Sequence, residues 1–375
     1  MTKLRFDQIA VNSTAKKKPE EADRDRYIGL EHLDSKSLEV TRWGAEVTPK
    51  GDKLLMRKGD VLFGRRRAYQ KKVGIAPFDG IFSAHGMVLR PKTAVVDPDF
   101  FPFFISSDTF LDEAIRVSVG SLSPTANWKD LRGLEFELPP MGKQRELACI
   151  LSEAERLKGH YRSLLATCDD VVKSQFVEMF GSDSSIGRAQ LKDVCALITD
   201  GTHQPPKFQT EGIPFLFVSN IANNELIYET SKYISREDYE ALIARTPIEV
   251  GDILISAVGS FGHPAIVRDE RPFCFQRHIA YLKPVHTKID SVFLHAALMS
   301  DESQRYMDKV AKGAAQRTVT LKSLKELIIP LPPLFLQQEF ASFVAKVDKS
   351  KFAIQKALDE LNAMTKKILN QELGL

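Results

Sequence analysis

The apolar positions near the end of the chain follow one regular pattern. Between Gln337 and Leu369 there is no glycine or proline, and apolar side chains recur at alternating steps of four and three. These steps are typical of the a and d positions of a coiled coil. The pattern predicts a long helix over residues 332–375, with the seam positions Phe340, Val344, Val347, Lys351, Ile354, Leu358, Leu361, Thr365 and Ile368.

The same pattern occurs 193 residues earlier and predicts another long helix over residues 139–181. We expect this helix to end at Gly181, because glycine readily adopts the left-handed conformation that closes helices. Two interpretations remain open: the helices pack on each other, or each packs on its own domain. The shared phase favours the first, since it offers two matching seams. The earlier seam consists of Leu147, Leu151, Ala154, Lys158, Tyr161, Leu165, Cys168, Val172 and Gln175.

The segments before the two helices, residues 1–138 and 188–331, have a different pattern. They contain short β-rich runs, such as residues 60–63, 85–90 and 252–256, separated by glycine and proline as in turns between strands. Each segment also has one helical stretch near its end, Phe100 to Val117 and Ser291 to Val310. The fold class predicted is therefore α+β, with two mixed α/β domains in tandem, each followed by a long helix.

A constant offset of 193 residues aligns the two halves well beyond the helices. It pairs His85 with His278 and Gly120 with Gly313. A Leu-Pro-Pro sequence precedes each helix, and a glutamine, Gln144 or Gln337, follows it at the same distance. The chain is thus predicted to be an internal duplication, in which the two halves share one architecture.

The distribution of charge along the chain is more informative about possible partners than the net charge. The net charge of the 375 residues is only +3, but Pro49 to Lys92 holds eleven Lys and Arg against three acidic residues. Residues 188–331 hold seventeen of each sign. The four cysteines are scattered without metal-ligand spacing, so we expect them to be buried and free. Without an apolar run that could span a bilayer, or a secretory leader, the expected location is cytoplasmic.

The sequence also lacks motifs that catalysis on DNA would need. Neither Leu138-Pro139-Pro140 nor Gln204-Pro205-Pro206-Lys207 supplies the Asn/Asp-Pro-Pro-aromatic loop of an adenine methyltransferase. There is no Gly-x-x-x-x-Gly-Lys-Ser/Thr loop for ATP and no histidine–cysteine cluster for a metal. We therefore predict that the chain is not an enzyme by itself and carries no cofactor of its own.

The ordered set of motifs resembles the specificity subunits of type I restriction–modification enzymes. The Leu-Pro-Pro sequences that open the helices are similar to that family, as are Thr199 to Lys207, Gly251 to Ser256 and Gly313-Ala-Ala-Gln316. The resemblance covers essentially the whole chain. It implies two target-recognition domains, each reading one half of a bipartite, asymmetric site in double-stranded DNA, and an antiparallel helix pair that sets the spacer.

The resemblance also implies partners. Two methylating subunits would dock on the chain, and a motor-nuclease subunit could join them. S-adenosylmethionine, ATP and magnesium would then be used by the partners alone.

Candidate DNA contacts follow from the side chains that binding requires. Phosphate contacts need Lys or Arg, and base reading needs side chains that present paired hydrogen bonds. Two alternatives remain: the basic run of the first domain could be a solvated charge cluster, and Thr202 and His203 of the second could simply stabilise a turn. The candidates in the first domain are Arg65, Arg66, Arg67, Tyr69, Lys71 and Lys72, and those in the second are Thr202, His203, Lys207, Gln276, Arg277, Gln316 and Arg317.

Three other functions fit parts of the pattern. The chain could serve a related system whose single partner both methylates and cleaves DNA. It could bind DNA alone, as an architectural or antitoxin-like protein. As a coiled-coil adaptor that binds only protein, it would have no salt-dependent affinity for duplex DNA.

Overall fold

The computed structural model describes residues 2–35, 37–181, 185–204, 206–222, 224–313 and 316–374. The chain divides into two compact units, one formed by Met1–Leu164 and Ile354–Leu375 and the other by Leu165–Ala353. Both boundaries fall inside the long helices, so each unit contains one domain and part of each helix. The segment of residues 181–187, which follows the first long helix, lies partly outside the described residues.

The helices, in chain order, are α1 (Phe6–Ile9), α2 (Phe101–Ser106), α3 (Asp108–Arg116), α4 (Trp128–Leu131), α5 (Met141–Phe180), α6 (Leu191–Val194), α7 (Arg236–Ile243), α8 (Ser291–Met299), α9 (Asp301–Val310), α10 (Leu321–Glu326) and α11 (Leu334–Glu372). Short 3-10 helices cover Glu21–Arg26, Leu30–His32, Ala68–Gln70 and Val218–Asn220.

The strands of the first unit are β1 (Thr2–Arg5), β2 (Ala10–Ser13), β3 (Lys16–Lys17), β4 (Tyr27–Ile28), β5 (Lys53–Met56), β6 (Val61–Phe63), β7 (Val73–Ile75), β8 (Gly80–Phe82), β9 (Met87–Pro91) and β10 (Glu135–Leu138). Those of the second unit are β11 (Arg188–Gln190), β12 (Cys195–Asp200), β13 (Ile213–Leu216), β14 (Ile221–Ala222), β15 (Glu225–Leu226), β16 (Tyr233–Ile234), β17 (Ile253–Ser256), β18 (Pro264–Ile266), β19 (Cys274–Phe275), β20 (Ile279–Pro284) and β21 (Ile328–Pro330).

The central sheet is built the same way in both units. Its strand order is β2-β9-β6-β7 in the first and β12-β20-β17-β18 in the second, and every neighbouring pair is antiparallel. The middle strands are buried because their residues are almost all apolar: β6 reads Val-Leu-Phe and β17 reads Ile-Leu-Ile-Ser. The shared strand order confirms the predicted duplication.

Each half also has a two-stranded antiparallel pair, β1-β10 or β11-β21, but the other strands differ between the two halves. The first domain adds a four-stranded sheet, β3-β5-β8-β4, whereas the second has the three-stranded sheet β16-β13-β19 and the hairpin β14-β15. The helix α7 in the second domain follows its strand β16, and Ser235 caps it by accepting a hydrogen bond from the backbone N–H of Asp238. The two domains therefore share a central frame and vary around it.

One sequence interpretation was wrong in the same way in both halves. Each late helical stretch was expected to be continuous, but α2 and α3 are separated at Ser107, and α8 and α9 at Ser300. In each case the serine is extended, and its hydroxyl accepts a hydrogen bond from a backbone N–H three residues later. Because a serine at this position caps a new helix, the chain turns instead of continuing.

Within each unit, α5 and α11 pack on each other. In the first unit, Lys158 donates to the Thr365 hydroxyl at 2.7 Å and Lys143 pairs with Glu372 at 3.4 Å. In the second unit, Lys351 pairs with Asp169 at 2.7 Å. In both units an early segment of one helix meets a late segment of the other, so the helices are antiparallel.

The predicted seam positions lie on the protected side of the two helices. Phe340 is fully buried, and Lys158 is buried at the seam with Glu155 at 2.7 Å, so its charge is paired. Buried residues of the predicted seam are Leu147, Leu151, Ala154, Lys158, Phe340, Leu358, Leu361 and Thr365, and the half-buried ones are Tyr161, Leu165, Cys168, Val172, Gln175, Val344, Val347, Lys351, Ile354 and Ile368.

The glutamine after each Leu-Pro-Pro sequence ties the helix to its domain. Gln144 is buried, accepts a hydrogen bond from the backbone N–H of Asp97 at 2.8 Å and donates to the carbonyl of Pro139 at 2.9 Å. Gln337 makes the equivalent bonds, at 2.9 Å to Asp290 and 2.8 Å to Pro332. The motif is therefore structural.

None of the helices in the described part of the chain is long and apolar enough to cross a membrane.

Candidate nucleic-acid interface

Three arginines lie on the loop of residues 64–72 that joins β6 to β7, called here the arginine loop. Arg65 points inward, donating to Asn127 Oδ1 at 3.2 Å and to the carbonyl of Ala84 at 3.4 Å. Arg66 and Arg67 are exposed. The first arginine therefore stabilises the loop, and the other two guanidinium groups are available at its surface.

A second loop, residues 119–125, lies against the arginine loop and is called here the projecting loop. The backbone N–H of Arg67 donates to the carbonyl of Pro124 at 2.7 Å, and its Nε donates to Ser123 Oγ at 3.3 Å. An isolated antiparallel bridge joins Arg66 to Thr125. The two loops form one surface on which Arg66 and Arg67 lie side by side with the projecting loop.

The other candidates of the arginine loop differ in their availability. Tyr69 is exposed. Lys71 pairs with Asp108 and Asp112, each at 2.7 Å, and Lys72 donates to the carbonyl of Leu30 at 2.7 Å. Both lysines are thus engaged within the domain, while Arg66, Arg67 and Tyr69 present their side chains to solvent.

His85 lies beside this surface, with Nε2 at 3.4 Å from Arg66 Nη1. Partial burial, and then the positive charges of Arg66, Arg65 and Lys53, lower the pKa of His85 below its usual value. The neutral imidazole is therefore favoured around pH 7. Burial is the main cause of the lowered pKa, and the neighbouring positive charges add to it.

In the second domain the structure brings Thr202, Gln276 and Arg277 together. Thr202 forms a parallel bridge with Gln276, and the backbone N–H of Arg277 donates to the carbonyl of Thr202 at 3.1 Å. Arg277 is exposed, and His203, also exposed, lies 3.0 Å from Asp200. These residues form an exposed polar edge beside β19.

The remaining candidates of the second domain are spread more widely. Arg317 lies over the ring of Phe261 at 5.2 Å and pairs with Asp308 at 2.6 Å, so its charge is partly neutralised. Gln316 and Lys207 are exposed. The backbone N–H of Gly259 donates to the carbonyl of Arg317 at 2.9 Å, which places residues 316–317 against the loop after β17.

These loops occupy corresponding places in the two domains. The antiparallel bridges Arg66–Thr125 and Val119–Thr125 have the counterparts Val258–Thr318 and Lys312–Thr318. Sequence reasoning identified the arginines but missed the projecting loop against which they lie. The available signal was the repeated glycine: Gly120 and Gly313 both have positive φ, +118° and +115°.

A metal centre is not indicated by the described residues, in which no group of three or more His, Cys, Asp or Glu side chains could hold an ion. The expectation that all four cysteines are buried was wrong for Cys149, which is exposed, and for Cys168, which is half-buried. Cys195 and Cys274 are buried, and burial raises the pKa of each thiol to about 12. Both are therefore protonated and unreactive at neutral pH.

Comparison with known families gives one match that extends over most of the chain. Residues 9–160 and 188–363 each match the family described as "Type I restriction modification DNA specificity domain". The chain belongs to this family. The two matched segments cover the two domains that the duplicated sheets define, together with much of each long helix.

Individual relatives agree with the family match. The putative type I restriction enzyme MjaX specificity subunit of Methanocaldococcus jannaschii is 23% identical over 380 residues, covering 91% of this chain and 84% of the relative. The EcoBI specificity subunit of Escherichia coli is 30% identical over 173 residues, 45% of this chain and 36% of that subunit.

Two solved structures share the fold of this specificity-domain protein. One, from work on complex assembly and conformational transition of the type I R-M system, has a TM-score of 0.54 at 19% identity and covers 99% of this chain and 96% of that chain. The other, the S subunit of a type I restriction–modification system from M. genitalium, has a TM-score of 0.52 at 16% identity, with 100% and 96% covered.

The exposed arginines allow a first quantitative prediction. In Arg66→Ala/Arg67→Ala we expect the slope of log K against log salt for duplex DNA to fall by about 0.9 for each phosphate that the chain no longer binds. Lys71→Ala is the matched control, because Lys71 is already paired with two carboxylates and its removal should leave the slope nearly unchanged. Salt titration of DNA binding measures both. Equal slopes in the double variant and the parent would assign the arginines to solvent.

Proposed function

We propose that the chain selects the DNA target of a type I restriction–modification complex. The proposal is supported chiefly by the pair of loops that recurs in both domains, with exposed Arg66 and Arg67 in the first domain and exposed Gln316 and Arg317 in the second. The second domain also has a separate exposed edge, where Arg277 lies beside Thr202. Each recognition domain would bind phosphates through its cations and read base edges through its polar side chains. Because the residues at these loops differ between the domains, the half-sites would differ in sequence and the whole site would be asymmetric.

The same proposal assigns the chemistry to other subunits. The chain would carry no methyl-transfer or cleavage activity of its own, and S-adenosylmethionine, ATP and magnesium would bind to its partners. The absence of methyltransferase and P-loop motifs from the sequence supports this division. A role on cellular DNA would place the chain in the cytoplasm.

Two grooves at corresponding positions support the expectation of two methylating subunits. The groove in the first unit, about 470 Å³, lies between α3 and the helix pair and is lined by Asp108, Leu151 and Lys158. The groove in the second unit, about 740 Å³, is lined by the residues 193 positions later, Asp301, Val344 and Lys351. A partner that recognises one groove would find a related groove in the other half, so two copies could bind.

An apolar stripe on α5 supports docking on the helices. Ile150, Leu157 and Leu164 follow one another at intervals of seven residues, and all three are exposed. At 1.5 Å per residue they form a line about 20 Å long on one side of the helix. A helix from a methylating subunit could cover such a line. The helix pair would also fix the spacing between the two half-sites.

Methylome sequencing of the host, with and without this gene, tests the proposal. We expect adenine methylation at one split, asymmetric site to disappear when the gene is removed and to return with it. The purified chain alone should transfer no methyl group from S-adenosylmethionine. Methylation should require a complex of the chain with methylating subunits, and the mass of this complex should fit two of them. An unchanged methylome, or methyl transfer by the isolated chain, would contradict the proposal.

A further inference from the structure

The tip of the projecting loop carries a leucine that is almost completely exposed. Leu122 is 92% exposed, more than any other large apolar side chain of the described residues. It lies in the sequence Gly120-Ser-Leu-Ser-Pro124, among small and polar residues. A leucine here contributes nothing to the core of its domain, so the folded state does not explain its presence.

The loop that presents this leucine is held at its base. Val119 and Thr125 exchange two backbone hydrogen bonds, of 3.1 and 3.0 Å. The Thr125 hydroxyl donates to the carbonyl of Ser123 at 3.0 Å. Gly120 takes the positive φ of +118° that the turn requires. The side chain of Leu122 is thus displayed on a pre-organised turn.

The arginine beside the tip adopts a backbone conformation that usually favours glycine. Arg67 has φ 55° and ψ 53°, in the left-handed region, and the corresponding residue of the second domain is a glycine, Gly259, with φ 75°. In this region the backbone of any residue other than glycine has a higher conformational energy, and residues in such conformations cluster at binding sites. Lys71 has a similar φ of 50°, but its ion pairs with Asp108 and Asp112 explain its presence. Within the described part of the chain, the Arg67 side chain hydrogen-bonds only to Ser123, in the projecting loop.

The charges around Leu122 favour a nucleic acid over a protein as the occupant. Arg66 and Arg67 are exposed and border the projecting loop, and no acidic side chain pairs with either of them among the ion pairs of the described residues. An apolar tip beside two exposed guanidinium groups matches the way in which wedge side chains enter DNA. There, cations bind the phosphates while a leucine, isoleucine or phenylalanine separates two base pairs.

We propose that Leu122 inserts between adjacent base pairs in the half-site that the first domain reads, while Arg66 and Arg67 bind the flanking phosphates. This inference rests on the proposed function. It predicts a local unstacking and bend in one half-site only. The residue of the second domain that corresponds to Leu122 in the sequence is Ala315, whose small side chain could not act as a wedge; Ala315 lies outside the described residues.

Base stacking can be measured directly at each position of the site. The full chain, in complex with its methylating subunits, is added to duplexes that carry the site found by methylome sequencing, with 2-aminopurine at one position at a time. Methyltransferases flip their target base, so the methylated adenines should also report a signal. We expect a further, several-fold rise in fluorescence at one step of the first half-site, away from the methylated adenine.

The variant Leu122→Ala should abolish this rise and weaken binding about tenfold, while the signal at the methylated adenine persists and shows that the complex is assembled. Leu122→Met, which keeps an apolar wedge, should retain it. Val47→Ala is the matched control, because Val47 is a 72% exposed aliphatic residue of the same domain in another loop.

Three results would overturn the inference without touching the proposed function. One is a complex that methylates its site but shows no extra unstacking. Another is an unstacking signal that Leu122→Ala leaves unchanged. The third is a Leu122→Ala chain that no longer binds methylating subunits, although the extra unstacking in the first half-site is normal. Leu122 would then contact protein and not DNA. Failure of the proposed function itself would appear differently, as the absence of any site-specific methylation by the unaltered complex.

Discussion

A chain in which residues 1–138 are replaced by the corresponding domain of a relative is expected to recognise a site with one new half and one unchanged half. The arginine loop and the projecting loop of the first domain lie wholly inside the replaced segment, and the loops of the second domain lie outside it. Each mismatched base pair costs about 1–3 kcal/mol, so two changed base pairs would reduce affinity for the old site by roughly 30-fold or more. Methylome sequencing of the hybrid gives both halves of its site directly.

The structure indicates where the junction should be placed. The two ends of the first domain are joined by the antiparallel pair β1 and β10, in which Thr2 faces Leu138. A cut after Leu138 keeps both strands in the incoming domain. Gln144, which remains with the helix, bonds to backbone atoms of Val95 and Asp97, so a relative with the same loop backbone can satisfy it.

The hybrid must also preserve the packing between the domain and the helices. Leu147, Leu151, Leu369 and Leu373 belong to the same hydrophobic core as Phe6 and Phe100 to Phe104 of the domain. The donor domain should therefore carry apolar residues at the positions of that phenylalanine cluster. The reciprocal hybrid, with residues 188–331 replaced, is the matched control and should change the other half-site. If either replacement altered both halves, the domains would not be separate readers.

The parts of the fold that could be predicted are those set by periodic patterns. The seam of the long helices was evident because apolar residues at steps of four and three leave few alternatives to a helix pair. The duplication was evident because Gln144 and Gln337, like the glycines at 120 and 313, occupy the same places in both halves. Such signals are local or repeated, so one sequence is enough to reveal them.

Other features depend on local hydrogen bonds and ion pairs that a periodic pattern of apolar residues does not reveal. Apolar residues run through both late helical stretches, but the serine caps at Ser107 and Ser300 break them. Lys71 and Lys72 belong to the basic run, and only the folded chain shows that Asp108, Asp112 and a carbonyl already satisfy them. The candidate interface was therefore predicted at the level of the loop and not at the level of the individual side chain.

The two units also use different residues at corresponding positions to pack the long helices against the domain. In the second unit Phe176, Phe180, Phe293 and Phe340 form one aromatic cluster, with ring centroids 5.0 to 6.4 Å apart. The residues 193 positions away in sequence are Leu369, Leu373, Phe100 and Leu147, and these four lie in one core of the first unit. Each cluster joins the two helices to a domain helix or its start, so a change there should affect the whole unit.

Replacing Phe340 with alanine is expected to destabilise the second unit strongly. Its ring is fully buried and lies 5.6 Å from that of Phe176 and 5.7 Å from that of Phe180. Removing a buried phenylalanine costs about 3–5 kcal/mol, because less apolar surface is buried and the remaining cavity is only partly filled. Domains are typically stable by about 5–15 kcal/mol, so the change is a large fraction of the free energy of unfolding.

Phe340→Leu is the matched control, because leucine is the residue that the first unit uses at the corresponding position, Leu147. We expect it to cost only about 1 kcal/mol, since most of the volume is retained. Urea unfolding followed by far-UV circular dichroism measures both variants. Both tryptophans, Trp43 and Trp128, lie in the first unit, so their fluorescence should shift less than the dichroism does. Equal destabilisation of the alanine and leucine variants would mean that the shape of the aromatic cluster, and not the buried volume, determines the stability of this unit.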